Sequence, residues 1–260
     1  MDIKVVIPCH LDSLRLKQKV IIDIYGLPMI EHVRRRVLLS KNVEQVFIAT
    51  NDNLIKDLVE SFGGKVIVTK ENHNTGTSRV CEAIKNINCS HVVLVQGDEP
   101  LLVPEYLDLF INKLKDSQDL LMWNAISKFK KKSYLDDISI VKCYLDQKNH
   151  IISCFRKNPL NNIEKFKSID EIYKIQGLIA YKKDFLIDLM SSADTPIAIR
   201  ESIEQMKALE NGAKIKAILI PEPLASVNTN EELDEVKRIL KTDKKQIELL
   251  RIIKEEYNQF

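Results

Sequence analysis

The chain of 260 residues is 45% hydrophobic and 29% charged, the balance of a soluble globular protein, which excludes disordered and fibrous classes. Its length suits one large domain, or one domain carrying an insertion, with enough chain to bury a full core without staples. Lys and Arg total 39 against 37 Asp and Glu, a net charge of +2, so no whole-molecule field draws the protein to nucleic acid or to an anionic membrane.

Taken in chain order, short apolar β-branched runs at Ile3–Ile7, Val46–Thr50, Lys65–Thr69 and His91–Val95 predict strands. Between them, Met29–Leu39, Asn53–Phe62 and Ser78–Ile87 repeat apolar residues at three- and four-residue steps and predict amphipathic helices. Strands alternating with helices imply right-handed βαβ crossovers and a mostly parallel, Rossmann-like sheet. Asn51 or Asp52 is expected to cap the second helix, and Gly63-Gly64 to end it. A helix is expected from Pro104.

From about Trp123 the rhythm changes. Runs at Ile140–Leu145, His150–Phe155 and Tyr173–Tyr181 follow with little helix between them, which predicts a small antiparallel element inserted over about 123–181. Helices at Lys183–Ser191 and Ile199–Asn211, a strand at Lys214–Ile220 and one long charged helix from Glu231 complete a single α/β domain of 1–260. The Lys128–Lys132 cluster reads as a solvated turn rather than a nucleic-acid site. Five cysteines, widely spaced and without a C-x-x-C pair, predict neither a disulfide framework nor a zinc site and fit a reducing cytoplasm. No stretch approaches the ~20 apolar residues of a membrane span, so no signal peptide or transmembrane helix is expected.

In an open parallel sheet, ligands bind outside the carboxyl ends of the strands, and three polar constellations fall at such ends. After strand one, His10, Ser13, Arg15, Lys17 and Lys19 lie in a loop without glycine. Side chains there would hold a polyphosphate, or the loop is an ordinary basic turn. After strand four, Gln96-Gly97-Asp98-Glu99-Pro100 puts two carboxylates at the rim of a fully apolar strand, which suits Mg²⁺ held by a carboxylate and substrate phosphates. Before the last helix, Val227-Asn228-Thr229-Asn230-Glu231-Glu232 is explained by capping alone and assigns Asn228 no further role.

These residues carry a resemblance. The Ile-Pro end of strand one, the Ser-x-Arg-Leu-x-x-Lys loop, Gly26-Leu27-Pro28-Met29-Ile30, Ala49-Thr50-x-Asp52, Gly63-Gly64-x-Val66, Gly76-Thr77-x-Arg79 and Val95-Gln96-Gly97-Asp98-Glu99-Pro100 are together similar to the 3-deoxy-manno-octulosonate cytidylyltransferase (CMP-Kdo synthetase) family. Val141-Lys142, Phe155-Arg156, Gly177-x-x-Ala180-Tyr181, Glu201-Ser202-x-Glu204-Gln205 and Val227-x-Thr229 continue the match. The similarity covers nearly the whole chain, densely before Pro104 and thinly after it. It implies a nucleotide-diphospho-sugar transferase type of fold. It also implies a cytoplasmic, Mg²⁺-dependent homodimer, pairing through the inserted strands, that joins CTP to a sugar acid for lipopolysaccharide synthesis. The apolar Ile151–Phe155 run fits such an interface or ordinary core.

By the same resemblance, Arg15 and Lys19 hold the triphosphate, and Asp98 holds magnesium with Asn228 across the ion. His10, Ser13, Gly76, Thr77, Arg79 and Gln96 line the nucleotide. Arg156, Gln176, Glu201, Glu204 and Gln205 face the sugar acid, Arg156 pairing with its carboxylate in a fork. The chain also departs from the family. His10 stands where an arginine is usual, Leu14 for Thr, Lys17-Gln18 for Pro-Gly and Val20 for Pro. Asn228 replaces a second metal-binding Asp, and Ile175-Gln176 replaces a His before Gly177. Two other readings follow from these departures: a nucleotidylyltransferase for a different nucleotide or sugar, and a non-catalytic nucleotide-binding relative.

Overall fold

A computed structural model describes residues 1–13, 15–70, 73–130, 132–157 and 171–255. Leu14, part of the Lys128–Lys132 cluster and the last residues of the expected C-terminal helix lie outside the described residues. The chain forms two compact units, one of Asp2–Asp108 with Leu224–Phe260, the other of Leu109–Pro223 with Met1.

In the first unit, β1 (Ile3–Pro8) opens the chain, a tight hairpin of β2 (Asp23–Ile24) and β3 (Leu27–Pro28) follows, and α1 (Met29–Leu38) comes next. Then come β4 (Val46–Thr50), α2 (Asn53–Ser61), β5 (Lys65–Val68), α3 (Gly76–Ile84) and β6 (His91–Val95). The strands stand in the order β5-β4-β1-β6, every neighbour parallel. Every residue of β6 is buried, as the unbroken apolar run Val92–Val95 requires of a strand covered on both faces. The β2–β3 hairpin, absent from the sequence reading, turns through Tyr25 at φ 54 and Gly26 at φ 89. Asp52 occupies the N-cap position of α2, but its carboxylate makes no capping bond and accepts instead from the Leu11 N–H at 3.3 Å.

α4 (Pro104–Lys115) leads to the second unit, which holds β7 (Met122–Ser127), β8 (Lys142–Leu145), β9 (His150–Phe155) and β10 (Tyr173–Lys182). α5 (Lys183–Ser191), α6 (Pro196–Glu201), α7 (Glu204–Glu210) and β11 (Ile215–Leu219) follow. The strand order β10-β7-β11-β9-β8 closes on itself through a further β10–β8 pairing. Only β11–β7 is parallel in this set, so the antiparallel expectation for 123–181 describes this unit. The single helix expected over Ile199–Asn211 is corrected to two, because Ser202 adopts the left-handed conformation at φ 53 and ends α6. A serine there leaves no glycine signal to read.

The long helix expected from Glu231 is likewise two, α8 (Asn230–Thr242) and α9 (Lys244–Glu255). The backbone of Asp243 is extended between them, and its carboxylate accepts from the Gln246 N–H at 2.9 Å. Among the described residues no helix is long and apolar enough to cross a membrane.

α1 is buried along nearly its whole length and carries a fully buried His32, whose Nε2 lies 2.7 Å from the Ile24 carbonyl. Burial pushes the His32 pKa down to about 4, and the Arg36 guanidinium works in the same direction. The unfolded chain therefore takes up a proton near pH 6.5 that the folded chain refuses until about pH 4. Stability contributed by neutral His32 is fully present above about pH 6.5 and is lost as pH falls through that window, about 3 kcal/mol in all. Urea midpoints measured at pH 7 and pH 4.5 should fall steeply for the native protein and less so for His32→Gln. Equal slopes would contradict this account.

Candidate active site

Three segments of the first unit meet at the carboxyl ends of β1 and β6: the loop after β1, the loop after β6 and the turn before α8. Apolar residues draw them together. Leu16 from the first, Leu101 from the second and Val227 from the third share one buried cluster with Ile24, Met29 and Leu233. The backbone ties the last two directly, because the Val227 N–H donates to the Asp98 carbonyl at 2.9 Å.

On this scaffold Lys19 Nζ donates to Asp98 Oδ2 at 2.6 Å and to Asn228 Oδ1 at 2.9 Å. One cation thus holds together two side chains 130 positions apart. Thr229, not Asn228, caps α8. It forms a capping box in which the Glu232 carboxylate accepts from the N–H groups of Asn228 at 2.6 Å and Thr229 at 3.1 Å. The box fixes the Asn228 backbone and leaves its carboxamide to the site, with Nδ2 toward Ser226 Oγ at 3.3 Å and Oδ1 toward the ammonium.

The oxygens of Asp98 and Asn228 already converge on a single positive centre, so this donor set fits a hard divalent cation such as magnesium. Among the described residues no group of three or more His, Cys, Asp or Glu side chains could hold a metal by itself. Two protein oxygens with the rest of the shell from substrate phosphates and water is the usual arrangement for this ion.

Around this centre the other first-unit residues take distinct places. Gly97 permits close packing of the strand ends: a Cβ there would stand 2.8 Å from Cys9 Sγ and 3.3 Å from the Pro8 carbonyl. Gly76 begins α3 beside Pro8 and Gln96, where a Cβ would lie 3.1 Å and 3.7 Å from them. The Thr75 side chain caps that helix through the Ser78 N–H. Thr77 and Arg79 are buried on α3, and Arg79 Nη1 donates to Thr69 Oγ1 at 2.7 Å. Ser13 and Gln96 are half-buried, while Arg15 and Lys17 are exposed.

His10 is exposed at its edge. Desolvation of the remainder, with the Arg79 guanidinium next in effect, lowers its pKa below the ordinary value. At neutral pH it is therefore an uncharged donor and acceptor rather than a replacement for a guanidinium. Asn51, expected with Asp52 as a cap for α2, does not cap it: its Oδ1, just past β4, is buried without a hydrogen-bond partner among the described residues.

The sugar-facing residues expected from the resemblance all lie in the second unit, and their placement revises part of that expectation. Arg156 does not present an open fork. Its Nε donates to the Glu201 carbonyl at 3.0 Å, Nη1 to the carbonyls of Ile138 and Ser139 at 3.2 and 3.1 Å, and Nη2 to that of Ser202 at 3.1 Å. The amide nitrogens of Gln176 and Gln205 are also committed inside the unit. Gln176 Nε2 donates to Ser127 Oγ and Gln205 Nε2 to Asn124 Oδ1, each at 2.8 Å. Asn124, fully buried, donates in turn to the Gln176 carbonyl at 3.0 Å, beside the irregularity that β10 carries between Ile175 and Ile179. Glu201 and Glu204, both half-buried, flank the left-handed Ser202 turn.

A parallel α/β sheet with a carboxylate, an amide oxygen and a lysine converged at its strand ends defines a nucleotidyltransferase of the nucleotide-diphospho-sugar transferase fold. Comparison with known proteins narrows the class. A family model described as cytidylyltransferase matches residues 4–215. A 3-deoxy-manno-octulosonate cytidylyltransferase of Geobacter sulfurreducens is 33% identical over 251 residues, covering 93% of this chain and 100% of the relative. One from Fusobacterium nucleatum is 34% identical over 244 residues, covering 91% and 96%. The solved structure of a CMP:2-keto-3-deoxy-manno-octonic acid synthetase complexed with CTP superposes with a TM-score of 0.87 at 26% identity, covering 94% of this chain and all of that one. The chain belongs to the cytidylyltransferase family, among its 3-deoxy-manno-octulosonate cytidylyltransferases.

Proposed function

We propose that this protein transfers the cytidylyl group of CTP to the anomeric hydroxyl of a 3-deoxy-2-ulosonic acid, Kdo or a close relative, releasing pyrophosphate. The observation that carries this reading is the convergence of Lys19, Asp98 and Asn228, in a chain whose relatives bear that activity in their names. Attack of the sugar hydroxyl on the α-phosphorus needs no covalent nucleophile, so positioning and charge neutralisation supply most of the acceleration.

Asp98 and Asn228 would hold the magnesium ion, which when bound neutralises phosphate charge. Lys19 and Arg15 bind the β- and γ-phosphates. Gly76, Thr77, Arg79 and Gln96 line the nucleotide, with His10 and Ser13 as neutral hydrogen-bonding groups. Glu201 and Glu204 face the sugar acid, while Arg156 holds the backbone of the turn that carries Glu201 and Gln205 ties α7 to Asn124. The exposed Ile152 on β9 supports pairing of two copies through this strand, which a sedimentation measurement would test.

Pyrophosphate release from CTP, Mg²⁺ and a panel of sugar acids tests the activity. Release only with another nucleotide, or nucleotide binding without turnover on any acid, would overturn it.

Asn228 offers a sharper test of the metal assignment. Asn228→Asp adds a carboxylate 2.9 Å from the Lys19 ammonium, and a divalent ion gains about twice as much Coulombic attraction from it as the ammonium does. The variant is expected to bind Mn²⁺ more tightly in a titration read by electron paramagnetic resonance, and to keep or increase turnover. Loss of turnover with fold and CTP binding intact would remove Asn228 from the metal site and leave it a turn residue.

A further inference from the structure

Lys142, on β8 of the second unit, is among the most deeply buried side chains of the protein, at 0% exposure. A buried ammonium is costly unless its protons are all bonded, and here they are. Nζ donates to the carbonyls of Asp137 at 2.6 Å, Ile140 at 3.0 Å and Arg156 at 2.6 Å. No salt bridge to a carboxylate accompanies these bonds among the described residues. Asp136 and Asp137 act on the ammonium only as more distant charges, and burial lowers its pKa. A lysine so placed does little that an apolar side chain of the same volume would not do for packing. What it does is fasten backbone.

Its three acceptors are informative. Two belong to the segment 137–140, whose other carbonyls, Ile138 and Ser139, accept from Arg156 Nη1. The third is the carbonyl of Arg156 itself. The remaining donors of Arg156 reach the carbonyls of Glu201 and Ser202, the left-handed turn between α6 and α7. The two cations form a relay in which Lys142 fixes the backbone of Arg156 and the 137–140 segment. Arg156, held at both ends, then fixes the turn that carries Glu201 and stands two residues before Glu204. Seven carbonyls from three stretches of chain are ordered around two positive charges.

We propose that Lys142 is a positioning residue for sugar-acid recognition, acting through Arg156 on the Glu201–Ser202 turn. The proposal rests on the reading that Glu201 and Glu204 face the sugar acid. A merely structural lysine would affect stability and both substrates alike. A positioning lysine acts on one substrate, because a misplacement of about 1 Å costs up to ~10² in rate or binding while leaving the fold intact.

The test uses the full chain and the sugar acid on which it releases pyrophosphate most rapidly. Lys142→Met keeps the length of the side chain but removes the charge and all three donors; Lys142→Gln keeps two donors. For Lys142→Met, the KM for the sugar acid is expected to rise at least tenfold, with the KM and calorimetric Kd for CTP within twofold of the native protein. Lys142→Gln should lie between the two, and it carries the test if the Met variant does not fold. Unchanged sugar-acid KM, or an equal loss for CTP and sugar acid, would overturn the proposal. Glu204→Gln serves as the control: if it raises the sugar-acid KM while the Lys142 variants do not, only the positioning role fails. If none of the three moves it, the assignment of the sugar acid to this turn fails as well.

Discussion

Asp98→Asn is expected to lower kcat by about 10²–10³-fold at saturating CTP and Mg²⁺, the usual cost of losing one electrostatic group aimed at a developing charge. The structure gives the reason for so large an effect. Asp98 is the only carboxylate bonded to Lys19 among the described residues, and its partner across the cation is the neutral Asn228. With the aspartate gone, two neutral amides would remain to hold a divalent ion against the charge of the nucleotide. The substitution is isosteric, and the Val227 N–H bonds the Asp98 backbone carbonyl rather than its side chain, so the fold should be retained. Steady-state kinetics with a Mg²⁺ titration decide the matter. Turnover like that of the native protein at any Mg²⁺ concentration would show that Asp98 is not the principal ligand.

Lys19→Met should cost a similar ~10²-fold or more in kcat/KM for CTP, and should act on both parameters. On the proposed function Lys19 binds the leaving phosphates, whose negative charge grows toward the transition state. Its loss therefore lowers kcat as well as raising KM. It also removes the cation that bridges Asp98 to Asn228 among the described residues. The free variant should consequently bind Mn²⁺ at least as well as the native protein, because no ammonium competes for the two oxygens, even while CTP turnover collapses. An unchanged CTP dependence would take Lys19 and its loop out of the phosphate site.

The two substitutions separate roles that geometry alone places within one hydrogen-bonded group. Loss of Asp98 should weaken metal binding and turnover together. Loss of Lys19 should weaken nucleotide use without weakening metal binding. Arg15, exposed on the same loop, is expected to support Lys19 at the triphosphate rather than replace it.

Local sequence was enough wherever a side chain's environment follows from its neighbours along the chain. The parallel strands β1, β4, β5 and β6, with the helices between them, were legible because short apolar β-branched runs and amphipathic helices have different apolar periods. A cap at Thr229 or Asn230 was legible because a cap and its partner lie within one turn, and the structure selects Thr229 with Glu232. The loop after β6 could be singled out because its two carboxylates follow a buried strand closely, and the family resemblance then pointed to Asp98.

Tertiary structure decided what depends on residues far apart. The Asp98–Lys19–Asn228 arrangement joins three segments through a shared apolar cluster, and pattern reasoning on the turn before α8 had assigned Asn228 no role. The commitment of Arg156, Gln176 and Gln205 to internal acceptors was invisible for the same reason. A polar side chain reads alike whether it faces a ligand or a buried carbonyl, and only the fold supplies the carbonyl. The break at Ser202 belongs here too, since a left-handed serine carries no local signal. Sequence by itself therefore determined the class of fold and pointed to the loops after β1 and β6. The three-dimensional packing decided which polar side chains are committed to internal partners, because burying a polar group requires a partner and the partner lies elsewhere in the chain.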